Sequence, residues 1–129
     1  MGKPSTFAEY LRACRLEAGY GLRAFAEAIE MQPPNLSNIE HGRANPPQDR
    51  TTLTKIADTL GLRGGARHLL FDLAVAHKPG ALPADVADFA GKTPGVPVLL
   101  RTLADRRLTR KELDALVEHV RRFMRQGAR

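Results

Sequence analysis

The sequence predicts an all-α protein: five short helices over residues 1–78, followed by a smaller helical extension over residues 79–129. Three observations lead there. Apolar residues recur three or four apart through most of the chain, the period of a helix with one buried face. No stretch alternates apolar and polar residues as a half-buried strand does. Proline and glycine pairs at 33–34, 46–47, 79–80 and 94–95 fall between the periodic segments, where helices must start or stop.

Residues 1–5 read as a loose end. A first helix is predicted over 6–18, with Phe7, Leu11, Cys14 and Ala18 as its stripe and Gly19 closing it. A second, over 22–29, buries Leu22, Phe25, Ala26 and Ile29. Glu30-Met31-Gln32 interrupts the pattern, and Pro33-Pro34 can only open a new helix. Because Pro34 disfavours helical geometry at Pro33, the third helix is expected to begin at Pro34 and run to His41. Leu36 and Ile39 form its buried side, and Gly42 stands where a left-handed residue ends a helix. After a loop over 43–48 come a fourth helix over 50–60 (Leu53, Ile56, Ala57, Leu60) and a fifth over 66–77 (Leu69, Leu70, Leu73), with Gly61, Gly64 and Gly65 between them. In the extension, a helix over 82–90 is followed by Gly91 and a turn over 92–95. Helix then resumes over 97–106 with Val98, Leu99, Leu100 and Leu103. The last helix opens with Thr109 and Glu112 in capping-box spacing, and Leu113, Leu116, Val117, Val120, Phe123 and Met124 line one side of it.

Residues 22–42 organise the rest. The third helix is short, buried along one thin stripe and rich in amides elsewhere, which suits insertion into a DNA major groove. Asn and Gln place a donor beside an acceptor, the match for adenine N6 and N7. The stretch resembles the helix-turn-helix of Cro-like, xenobiotic-response-element repressors of phages and bacteria. The resemblance is carried by Leu22–Ala26, by Leu36-Ser37-Asn38-Ile39-Glu40-His41-Gly42-Arg43, by Asn45-Pro46, and by Leu53, Ile56-Ala57 and Leu60-Gly61-Leu62. It runs from about Phe7 to Leu62 and implies a repressor-like DNA-binding domain with its recognition helix over 33–41.

The resemblance assigns base contacts to Gln32, Pro33, Pro34, Asn35 and Asn38, and phosphate contacts to Arg23, Ser37, Arg43 and Asn45. It also implies an ion pair between Arg15 and Glu40 that locks the reading helix to the first helix. The chain departs from the family in three places. Prolines stand at 33 and 34, where donors are usual, so polar readout falls to Gln32, Asn35 and Asn38, and the prolines offer only apolar contact. Gly21-Leu22 replaces the usual Gln or Thr phosphate contact. Glu30 replaces a glycine, so if the turn keeps the family's geometry Glu30 must adopt positive φ.

The net charge of +6 favours polyanionic partners. No apolar run is long enough to span a membrane, and no basic-then-apolar leader precedes the first helix. The lone Cys14 forms no internal disulfide, which fits a reducing cytoplasm, and reads as a buried, inert thiol, while the resemblance implies a bacterial or phage protein. His41, His68, His77 and His119 lack metal-ligand spacing, no phosphate-binding loop occurs, and no nucleophile–base set can be assembled. The expectation is therefore a non-enzyme without cofactor or metal. Because one recognition helix covers few base pairs, a homodimer is expected through Leu113, Leu116, Val117, Val120, Phe123 and Met124. The alternative is an antitoxin or immunity-type regulator whose residues 79–129 hold a protein partner.

Overall fold

The structure, a computed structural model, describes residues 6–78 and 80–127; residues 1–5, expected to be a loose end, and Pro79, expected to stop the fifth helix, lie outside them. The described residues form eight helices and no strand: α1 (Phe7–Glu17), α2 (Leu22–Ala28), α3 (Pro33–Glu40), α4 (Arg50–Leu60), α5 (Gly64–Val75), α6 (Ala84–Lys92), α7 (Val96–Arg106) and α8 (Arg110–Gly127). The chain divides into two compact units, Met1–Phe89 and Ala90–Arg129.

The first unit holds the core. Its α3 packs on α1 and α2, while α5 packs on α1 and α4. Phe25, Phe71, Leu11, Leu36, Leu53, Ile56 and Leu70 are the largest fully buried side chains, each worth about 1.5–3 kcal/mol of transfer free energy. Thr6 caps α1 by accepting from Glu9 N at 3.1 Å, and Asp49 caps α4 by accepting from Thr52 N at 2.9 Å. Ala84 packs against this core, and Asp88 pairs with Arg50 at 3.1 Å, so the first half of α6 goes with the first unit.

Several boundaries and faces differ from the sequence reading. Helix α3 begins at Pro33, one residue early. Gln32 takes the extended conformation (ψ 136°) that its proline neighbour demands, and the two prolines occupy positions where a helix needs no N–H. Ala18 falls just past the end of α1 and is exposed, and Tyr10 is buried instead, its hydroxyl donating to the Ala66 carbonyl at 2.8 Å. Burial raises the Tyr10 pKa to about 12. Helix α5 starts at Gly64 and buries Leu70, Phe71 and Ala74, leaving Leu69 36% exposed. The run Leu69-Leu70-Phe71 is apolar at every phase, so periodicity alone does not choose its inner face. Helix α6 sits two residues later than expected: the bond from Ala87 N to Pro83 O (2.9 Å) opens it, and Gly91 continues it until Pro94 bars further helix. Helix α7 begins one residue early, at Val96.

In the second unit, α8 opens with a reciprocal capping box. Thr109 N donates to Glu112 Oε1 at 3.0 Å, and Glu112 N donates to Thr109 Oγ1 at 3.1 Å. These bonds hold the Glu112 carboxyl below its ordinary pKa. None of the described residues from 90 to 127 is buried.

Candidate nucleic-acid interface

The site is built from the end of α2 onward. Ile29 is buried and caps α2, and the chain then reverses in a Schellman turn. Glu30 N donates to Glu27 O at 3.1 Å and Met31 N to Ala26 O at 2.8 Å. Glu30 occupies the left-handed position of this turn with φ +58°. Its carboxylate reaches Lys55 on α4, and that bond keeps the Glu30 carboxyl below its ordinary pKa. Met31, the next residue, packs against the core.

Gln32 then caps α3 without a side-chain capping bond. Its carbonyl accepts from both Asn35 N (3.0 Å) and Leu36 N (3.1 Å). With prolines at the two positions before Asn35, the first turn has no free N–H to offer an anion, unlike an ordinary helix N-terminus. What remains at this end is side chains: Gln32, Pro34 and Asn35 are exposed, while Pro33 and Asn38 are half-buried.

The opposite side of α3 is anchored. Leu36, Ile39 and Glu40 are buried. Arg15 of α1 grips Glu40 with both prongs, Nε to Oε2 at 2.6 Å and Nη2 to Oε1 at 2.9 Å, and its Nη1 donates to the Tyr20 carbonyl at 2.9 Å. The two side chains are only 8% and 2% exposed. The bond to Glu40 raises the Arg15 pKa further. Thus α3 is tied to α1 by a bidentate ion pair and to α2 by packing.

Residues 6–70, about half the chain, match the family described as a helix-turn-helix domain. The chain belongs to that family. Its Cro and xenobiotic-response-element character is that of a DNA-binding domain. No curated protein matches the chain.

Within the matched residues, the remaining sequence-predicted side chains take their places around α2 and α3. Arg23 is exposed on α2, and Asn45 is exposed in the loop after α3. Ser37 is half-buried; its hydroxyl lies 3.4 Å from His41 Nδ1, whose N–H donates to the Ser37 carbonyl at 2.7 Å. Arg43 and Asn38, assigned to different tasks by the sequence, are brought together: Arg43 Nε donates to Asn38 Oδ1 at 3.0 Å. Gly42 (φ +74°) ends α3 in another Schellman turn, which sets residue 43 against residue 38. The sequence reading used that glycine only to end the helix and did not foresee the contact. Gln48 was missed. Its amide donates to Pro46 O (3.0 Å) and Ala74 O (2.7 Å), fixing the loop after α3 to the end of α5.

Elsewhere, Cys14 is half-buried, and burial raises its pKa, which leaves it a protonated thiol near neutrality. Among the described residues no three His, Cys, Asp or Glu side chains gather as a metal site, and no helix is long and apolar enough to cross a membrane.

Proposed function

We propose that the chain is a sequence-specific regulator of transcription, a repressor that occupies a (pseudo)palindromic operator in double-stranded DNA as a homodimer. One observation carries the reading. Helix α3 buries Leu36, Ile39 and Glu40 and is clamped through Arg15, yet it leaves Gln32, Pro34 and Asn35 exposed. A short helix held rigidly by one side, with amides on the other, is what a major groove accepts. Gln32, Asn35 and Asn38 supply polar contacts to bases, and Pro33 and Pro34 supply apolar contact. Arg23, Ser37, Arg43 and Asn45 supply phosphate contacts that set the register. No cofactor and no catalytic step is part of this reading, and the protein acts in the cytoplasm of a bacterium or on phage DNA.

The second copy enters through the extension, residues 79–129. Val117, Val120, Phe123 and Met124 are 47–68% exposed on α8, with Leu113 and the half-buried Leu116 beside them. The same exposure supports a second reading, in which an antitoxin or immunity-type protein holds a protein partner there and represses its own operon. Selection of bound duplexes from a random library tests the main reading. Two inverted half-sites about 34–36 Å apart, centre to centre, are the expected result. Failure to enrich any duplex sinks it. A stoichiometric partner that copurifies with the full chain, and is lost with Phe123→Glu, selects the second reading.

A further inference from the structure

We propose that Arg43 positions Asn38 so that Asn38 offers DNA its amide N–H groups, and that the base it reads is guanine rather than adenine. The proposal rests on α3 being the DNA-reading helix. Arg43 and Asn38 are joined twice, from Arg43 Nε to Asn38 Oδ1 at 3.0 Å and from Arg43 N to the Asn38 carbonyl at 2.8 Å. The second bond belongs to the turn at Gly42, so the backbone itself holds the arginine over the asparagine.

A guanidinium has donors and no acceptor. Contact with Arg43 therefore decides which end of the Asn38 amide faces it: the oxygen turns toward the cation and the NH2 group turns away. Asn38 is half-buried, which restricts its rotation further. A cation on the carbonyl also draws electron density from the amide. Its N–H groups become stronger donors, and the remaining lone pair of the oxygen becomes a poorer acceptor for a neutral amine.

Base chemistry then discriminates. Adenine shows one acceptor, N7, beside one donor, the N6 amine, and an asparagine matches it only by using both ends of its amide. Guanine shows two adjacent acceptors, N7 and O6, and suits an amide that donates. Turning Asn38 round for adenine means giving up a charge-assisted hydrogen bond. Arg43 thus influences base choice without touching a base, in addition to any contact with phosphate.

The test is selection from a random duplex library with the full chain as wild type, Asn38→Ala and Arg43→Met. Both side chains lie outside the core, and circular dichroism of the variants should overlay the wild type. The position that loses its preference in Asn38→Ala is the one Asn38 reads. Guanine is expected there in the wild type. In Arg43→Met the guanine-to-adenine ratio at that position should fall by about tenfold, the scale of one good base contact, while other positions keep their preferences. A phosphate contact alone lowers affinity for every duplex and leaves the preference unchanged, and that result overturns the proposal. So does adenine at that position in the wild type. If Asn38→Ala alters no position while the wild type still selects a motif, the proposal falls and the reading of α3 stands. If the wild type selects nothing, both fall.

Discussion

Glu30 shows what one residue can impose. The same pair of turn bonds closes four helix ends, and the left-handed residue is Gly19, Gly42 and Gly61 in three of them and Glu30 in the fourth. A left-handed residue with a β-carbon costs about 1–2 kcal/mol that glycine does not. The Lys55 pair returns little, because the Glu30 side chain is 75% exposed. Glu30→Gly should therefore melt above the wild type and Glu30→Gln slightly below it; a Glu30→Gly variant that melts lower defeats the argument. The positive φ was legible because the turn geometry required it. The partner was not, since Lys55 lies on α4 and no local pattern connects it to residue 30. Asp49 permits a second test. Its bonds to the Thr52 hydroxyl and N–H hold its pKa below the ordinary 3.8. A lowered carboxyl pKa means the stabilisation is fully present above 3.8 and is lost as pH falls through the folded value. Asp49→Ala should cost about 1 kcal/mol at pH 7, and urea titrations should show that gap narrowing below the ordinary carboxylate range.

At the scale of elements, the join between α1 and α3 is the one to break. Removing one partner of a buried ion pair leaves the other unpaired, at a cost of about 3–5 kcal/mol. Arg15→Met and Glu40→Leu should each destabilise the protein on that scale in chemical denaturation. Combined, they should destabilise it by clearly less than the sum, because no orphaned charge remains. Strict additivity would mean that the pair contributes nothing beyond its two side chains. Helix existence was legible throughout, since apolar periodicity, the capping box at Thr109 and the paired prolines punctuate the chain. Helix phase and ends were less so. The proline at 83 and the glycine at 91 invite a boundary that the backbone does not place there. The inner face of α5 is decided by its packing on α1 and α4, not by its own spacing. Of the candidate site, the individual side chains could be named from the sequence, but the bond between Arg43 and Asn38 exists only once the turn at Gly42 is closed.

For the whole molecule, the contrast between the two units is decisive. The first has a closed core, whereas the second buries none of its described residues. Val120 and Phe123 are 50% and 68% exposed within the chain, so charge there should not harm a monomer. The double variant Val120→Glu, Phe123→Glu should leave the melting of the first unit intact yet sediment as a monomer. Affinity for a two-half-site duplex should fall toward that for a single half-site, as the effective concentration supplied by the second copy is lost. If the variant still sediments as a dimer, these residues are not the contact between copies.

The proline pair at the head of α3 has a consequence for isotope labelling. Residues 33 and 34 carry no exchangeable amide hydrogen, and the amides of Asn35 and Leu36 are both held by the Gln32 carbonyl. In a deuterium-uptake experiment the tip of this helix is therefore nearly silent, whether or not a ligand covers it. Slowed uptake on binding would be read at Gln32 on one side and in the loop around Asn45 on the other. A footprint with a gap in its centre would then be the mark of occupancy and not of a missed contact.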